Sequence, residues 1–149
     1  MSFNFTKPTL LFAVPGLFIP GFTAFGLVGL QILLGKAGIE CSVAWTIIWT
    51  TTMIGGLVLP FLFYRHITRF PEHKLPSLET QLGFFNLTEY VFIQSSLMPL
   101  FTSIQTVCYE SDGQNGLELI LSAWMALPVL VLLSFGFNHA IKRNEKLKK

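Results

Sequence analysis

Charge is what this sequence has least of. Asp, Glu, Lys and Arg together make up 12% of its 149 residues, against 52% hydrophobic residues, and the mean hydropathy is +0.59. A soluble globular domain carries roughly a quarter of its residues as charges, so too few are present to cover a water-facing surface. The scarcity is also local. Segments 8–35, 41–64, 90–109 and 119–138 contain no Asp, Glu, Lys or Arg at all. Each approaches or exceeds the ~20 residues that a helix, rising about 1.5 Å per residue, needs to cross a hydrocarbon layer about 30 Å thick.

Recognisable catalytic chemistry is also missing. There is no phosphate-cradling glycine loop, no nucleophile elbow and no paired-carboxylate arrangement. His73, Glu72 and Glu79 lack the spacing of a zinc site. The ten basic residues against eight acidic ones form no nucleic-acid-binding pattern. With two cysteines and no CxxC pair, a thiol relay lacks its reactive motif. His66 and His139 fall at the inner ends of two apolar segments, where paired imidazoles can hold a b-type haem. Interfacial histidines need no such group, and the expectation is a non-enzymatic protein without cofactor or metal.

What is present points to an all-α, polytopic integral membrane protein: a single four-helix transmembrane domain with spans at about 9–35, 41–64, 83–109 and 118–138. The first apolar stretch is too long for a signal-peptide core and is expected to remain as a span. The connection at 65–79 carries Arg65, Arg69 and Lys74, and the tail at 139–149 carries Lys142, Arg143, Lys146, Lys148 and Lys149. The opposite connections hold Lys36 beside Glu40, and the acidic Glu110, Asp112 and Glu118. Basic residues stay on the cytoplasmic side of short loops. Both termini and the middle connection are therefore expected there, with Arg65, Arg69, Lys74, Lys142 and Arg143 forming a basic inner rim. Ser77 as N-cap would start the third helix near Leu78.

Cys41 opens the second span and Cys108 closes the third, so this weave puts both at the outer surface. A disulfide between them, needing Cα atoms within about 7 Å, and two small apolar residues that never meet are both open readings.

The third span is unusually polar. At 100° per residue, Gln94, Ser95, Thr102, Gln105 and Thr106 share one side of a continuous helix, with Ile93, Leu97, Leu100, Ile104 and Val107 on the other. Glu89 precedes them, and counting back from Cys108 places it near the inner boundary, within reach of cytoplasmic water. Unsatisfied polar groups in hydrocarbon are costly. This side either packs against the chain's own helices, lines a cavity or meets a partner. The second span, with Thr46, Thr50, Thr51 and Thr52 followed by Gly55 and Gly56, is the expected mate.

The stretch Asn86-Leu87-Thr88-Glu89-Tyr90, following a basic, proline-containing loop, is similar to the Asn-x-x-Glu stretch of the MAPEG membrane proteins. The arginine that precedes that motif in the family is missing, and the stretch falls on the third span instead of the second, so no site is carried over. The leading functional expectation is an accessory or regulatory subunit, or an immunity-type recognition protein, acting by helix contacts with a membrane-protein partner or a second copy. The alternatives are a small transporter or channel using Glu89 and the polar side of the third span, and a membrane-bound enzyme or haem protein.

Overall fold

The computed structural model describes residues 4–18, 22–69, 75–109 and 117–147, and among them every regular element is helical. The helices are α1 (Thr6–Phe18), α2 (Phe22–Lys36), α3 (Cys41–Arg69), α4 (Leu75–Leu97), α5 (Ile104–Cys108) and α6 (Leu117–Leu147), with a 3₁₀ turn at Met98–Leu100. Two are long and apolar enough to cross a bilayer: the 29 residues of α3, and the 24 residues Ile120–Arg143 within α6. Phe25–Lys36 in α2 forms a shorter apolar helix.

Side-chain contacts fix how the helices run past one another. Phe5 meets Phe137, while a Cβ added at Gly16 would come within 2.9 Å of Leu127, so α1 and α6 are antiparallel. Phe63 stacks on Phe85 and Thr52 bonds to Ser95, so α3 and α4 are antiparallel too. Thr9 meets Asn86 and Thr23 meets Gln94, which runs α1 and α2 alongside α4 in the same direction. The start of α1, the end of α3, the first turns of α4 and the end of α6 are thereby gathered at one end of the molecule.

At that end Phe63 and Phe85 stack at 4.4 Å between centroids, Phe137 lies edge-on to Phe85 at 5.3 Å, and Phe5 abuts Phe63 and Phe137. Edge and offset contacts of this kind add to the stabilisation from burying the rings. Asn138 accepts from the Phe5 backbone N–H through Oδ1 and donates to the Thr6 hydroxyl through Nδ2, tying the start of α1 to α6. At the other end, Leu27, Trp45, Ile48 and Met98 form a smaller cluster.

Two elements differ from the sequence expectation. The expected first span is described as α1 and α2, with residues 19–21 between them outside the described residues. The third span is broken after Leu97. Pro99 has no N–H to donate to a helix ladder, and its ring crowds the carbonyl one turn back. The chain relaxes into the 3₁₀ turn and restarts at Ser103, whose hydroxyl caps α5 by accepting from the Thr106 N–H at 3.1 Å. The middle connection and tail are largely helical: α3 continues to Arg69, α4 begins at Leu75 with Ser77 already inside it, and α6 extends to Leu147. Of the connection, 70–74 lie outside the described residues.

Candidate functional site

A polar track lies between the helices. On α4, Asn86, Glu89, Gln94 and Ser95 are all buried, interleaved with buried Phe85, Tyr90 and Ile93. Thr9 of α1 donates through Oγ1 to the Phe5 carbonyl at 2.9 Å and accepts from Asn86 Nδ2 at 3.2 Å. Thr23 of α2 bonds to Gln94 Oε1. Thr52 of α3 bonds to Ser95 at 2.8 Å and also satisfies the Ile48 carbonyl one turn back. Each pair joins α4 to a different helix. Buried amides and hydroxyls that find partners cement helices in an apolar surround.

Glycine makes the closest approach possible. A Cβ built on Gly55 would fall 2.6 Å from the Phe92 ring, and one on Gly56 would sit 3.8 Å from Glu89 Oε1. Only with hydrogen at Gly55 can α3 lie this near α4, whereas a methyl at Gly56 would make ordinary van der Waals contact. The Glu89 carboxyl occupies the space beside Gly56. It is 1% exposed, and neither oxygen has a hydrogen-bond partner. The expectation that the Glu89 carboxyl reaches water is thus corrected: it is buried, with about four turns of α4 before it and Gly56 of α3 beside it.

The expected polar side is divided by the break at Pro99. Glu89, Gln94 and Ser95 stay together inside. Thr102 falls in the connection to α5, half-buried with an unpartnered hydroxyl. Gln105 on α5 is exposed and Thr106 is half-buried, its hydroxyl bonded to Ser103. Of the four threonines offered as mates on α3, Thr52 alone is buried; Thr46 turns back to the Ser42 carbonyl, and Thr50 and Thr51 are exposed. Thr9 and Thr23 were missed as partners. Their signal is faint: single hydroxyls in otherwise apolar helices.

Cys41 and Cys108 come together at bonding distance, S–S 2.10 Å with Cα atoms 5.9 Å apart, and join α3 to α5. Beside them the Tyr109 hydroxyl donates to Glu40 at 2.9 Å. Arg65, Arg69, Lys142 and Arg143 are exposed, and Lys74 lies outside the described residues. His66 is half-buried, with Nε2 3.2 Å from Gln81 Oε1, and His139 is exposed. Among the described residues, no three His, Cys, Asp or Glu side chains gather as metal ligands would. Compared with protein-family models, curated proteins and solved structures, the chain has no significant match.

Proposed function

We propose that the chain is a multi-pass integral membrane protein that crosses the bilayer four times, with both termini on the cytoplasmic side, and acts by helix contacts within lipid as an accessory or regulatory subunit. The inverted surface carries this reading. Phe18, Phe25 and Leu57 are 82%, 83% and 76% exposed, along with Leu100, Leu132 and Phe84, while Thr9, Asn86, Gln94, Ser95 and Ser134 are buried. Water favours the opposite arrangement; hydrocarbon favours this one. The basic ends of α3 and α6 then lie at the inner face and the cysteine pair at the outer, where an oxidising compartment preserves a disulfide.

Two features favour action by contact. The polar side chains that could serve a substrate are largely bonded to one another inside. In α2, by contrast, Gly26 and Gly29 have nothing within 4 Å of an added Cβ, and Phe25, Leu30, Ile32 and Leu33 are exposed nearby. Small residues one turn apart, flanked by large apolar ones, suit close approach of another transmembrane helix. A second copy of this chain is the alternative occupant.

Purification from native membranes in mild detergent should recover a membrane protein in fixed ratio, with Gly29→Leu reducing its recovery; a lone monodisperse species unaffected by Gly29→Leu overturns the reading. The placement is tested separately. After reduction, a membrane-impermeant thiol reagent should reach Cys41 and Cys108 from the outer side alone, and labelling only from the side that carries Arg143 refutes the weave.

A further inference from the structure

The three polar pairs around α4 leave one group out. Asn86 is matched by Thr9, Gln94 by Thr23 and Ser95 by Thr52, yet Glu89, at the centre of the same track, has two carboxyl oxygens without a hydrogen bond. Among the described residues, no cation stands opposite it. On α3 the nearest basic groups in sequence, Arg65 and His66, are nine and ten residues beyond Gly56, roughly 14–15 Å along the helix. Arg65 is exposed, and His66 is engaged with Gln81. On α1, Lys7 is exposed; on α6, His139, Lys142 and Arg143 are exposed. Tyr90, next in sequence and also buried, points to another side of α4, where its ring packs on Phe12 of α1.

A carboxylate in such a place has charge that none of the described residues balances, and an ionisable side chain inside a membrane domain is by default a functional site. A bound ion or proton would supply the balance. A metal ion needs several oxygens to replace its hydration shell, but the neighbouring hydroxyl and amide oxygens are already engaged in the pairs above. A proton needs one carboxyl oxygen alone.

We propose that Glu89 is an intramembrane proton-binding site that latches α3 to α4. Binding forms one O–H bond on the carboxyl and transfers no electrons. With the proton bound, the neutral carboxyl fits beside Gly56 and the two helices close. Without it, the charge draws in water or swings towards the groove of about 480 Å³ between α3 and α4, which begins at Thr88 and reaches His66 and Gln81 at the basic end. Either response loosens the contact at Gly55 and Phe92. The assignment rests on the packing of α3 against α4 and on the membrane placement proposed above, not on the partner reading.

The test is infrared difference spectroscopy of the full chain in lipid nanodiscs, between acid and alkaline buffers. The expected spectrum contains a carbonyl band of a buried protonated carboxyl that is lost in Glu89→Gln and kept in Glu79→Gln, whose side chain is exposed. Gly56→Ala, which adds a methyl in ordinary contact with Oε1 and should fold, is expected to shift the same band. A band unmoved by Gly56→Ala, or a wild-type spectrum indistinguishable from that of Glu89→Gln, overturns the proposal. So does loss of the band on adding sodium chloride at fixed pH, which would make a metal cation the occupant.

Discussion

The two ends of the molecule are held together by different means. At the end that gathers Phe5, Phe63, Phe85 and Phe137, four helices converge on one aromatic cluster continuous with Leu82, Tyr90 and Leu130. At the end marked by Cys41 and Cys108, the buried cluster among the described residues is four residues, α5 is five residues long, and the chain is fastened by a covalent bridge and the Tyr109–Glu40 bond. Dense packing makes the first end self-sufficient. The second relies on constraint, which suits a region where α2 stands partly free.

The sharpest way to break this contrast is to empty the packed end. Phe85→Ala removes a buried ring from the stack with Phe63, and is expected to destabilise the fold by about 3–5 kcal/mol. Phe84→Ala, one residue away and facing outward, should change stability by less than about 0.5 kcal/mol. Reversible unfolding in mixed micelles compares the two; equal effects would mean that no packed core distinguishes this end.

Breaking the bridge comes next. It joins residues separated by 67 positions, and a constraint on so long a loop contributes roughly 2–4 kcal/mol, chiefly by restricting the unfolded chain. Cys108→Ser should lower stability by that amount and raise amide exchange selectively around Trp45, Ile48 and Met98, while Phe63 and Phe137 stay protected. Uniform loss of protection would show that the two ends unfold as one unit.

How much of this was legible in the sequence follows the same division. The helical class, the cysteine pairing as one of two readings, and the closeness of Gly55 and Gly56 to α4 could be read because each rests on a local signal: charge-free length, topology, residue size. The break at Pro99 could not be placed. Pro60 and Pro128 sit inside unbroken α3 and α6, whereas Pro99 ends α4, and tertiary surroundings decide between these outcomes. The burial of Glu89 was missed for the same reason. Counting from Cys108 along a continuous helix ignored the break, and periodicity cannot tell which side α3 covers. Thr9 and Thr23 were invisible because one hydroxyl in an apolar helix looks the same whether it bonds to its own backbone or across to α4.

Between the two ends, a glycine contact can be overfilled. Gly55→Leu drives a side chain into the Phe92 ring, which must swing aside, and overpacking of this kind costs about 1–3 kcal/mol. Thermal unfolding would register the loss. Gly26→Leu in α2, where a side chain meets open space, should leave the isolated chain's stability unchanged and affect only recovery of a partner.

The smallest effect tests whether the polar track joins the ends energetically. Thr52→Val removes the hydroxyl that bridges α3 to Ser95 while keeping the side chain's volume, and hydrogen bonds between helices in lipid contribute about 0.6–2 kcal/mol. Ser95→Ala should cost a similar amount. Because the two hydroxyls share one bond, the double variant should cost less than the sum. Thr50→Val, exposed on the same helix, supplies the baseline. Additive effects for Thr52 and Ser95 would mean that each hydroxyl is satisfied independently, Thr52 by the Ile48 carbonyl it already touches at 2.8 Å, and that α3 is held to α4 by glycine-permitted packing alone.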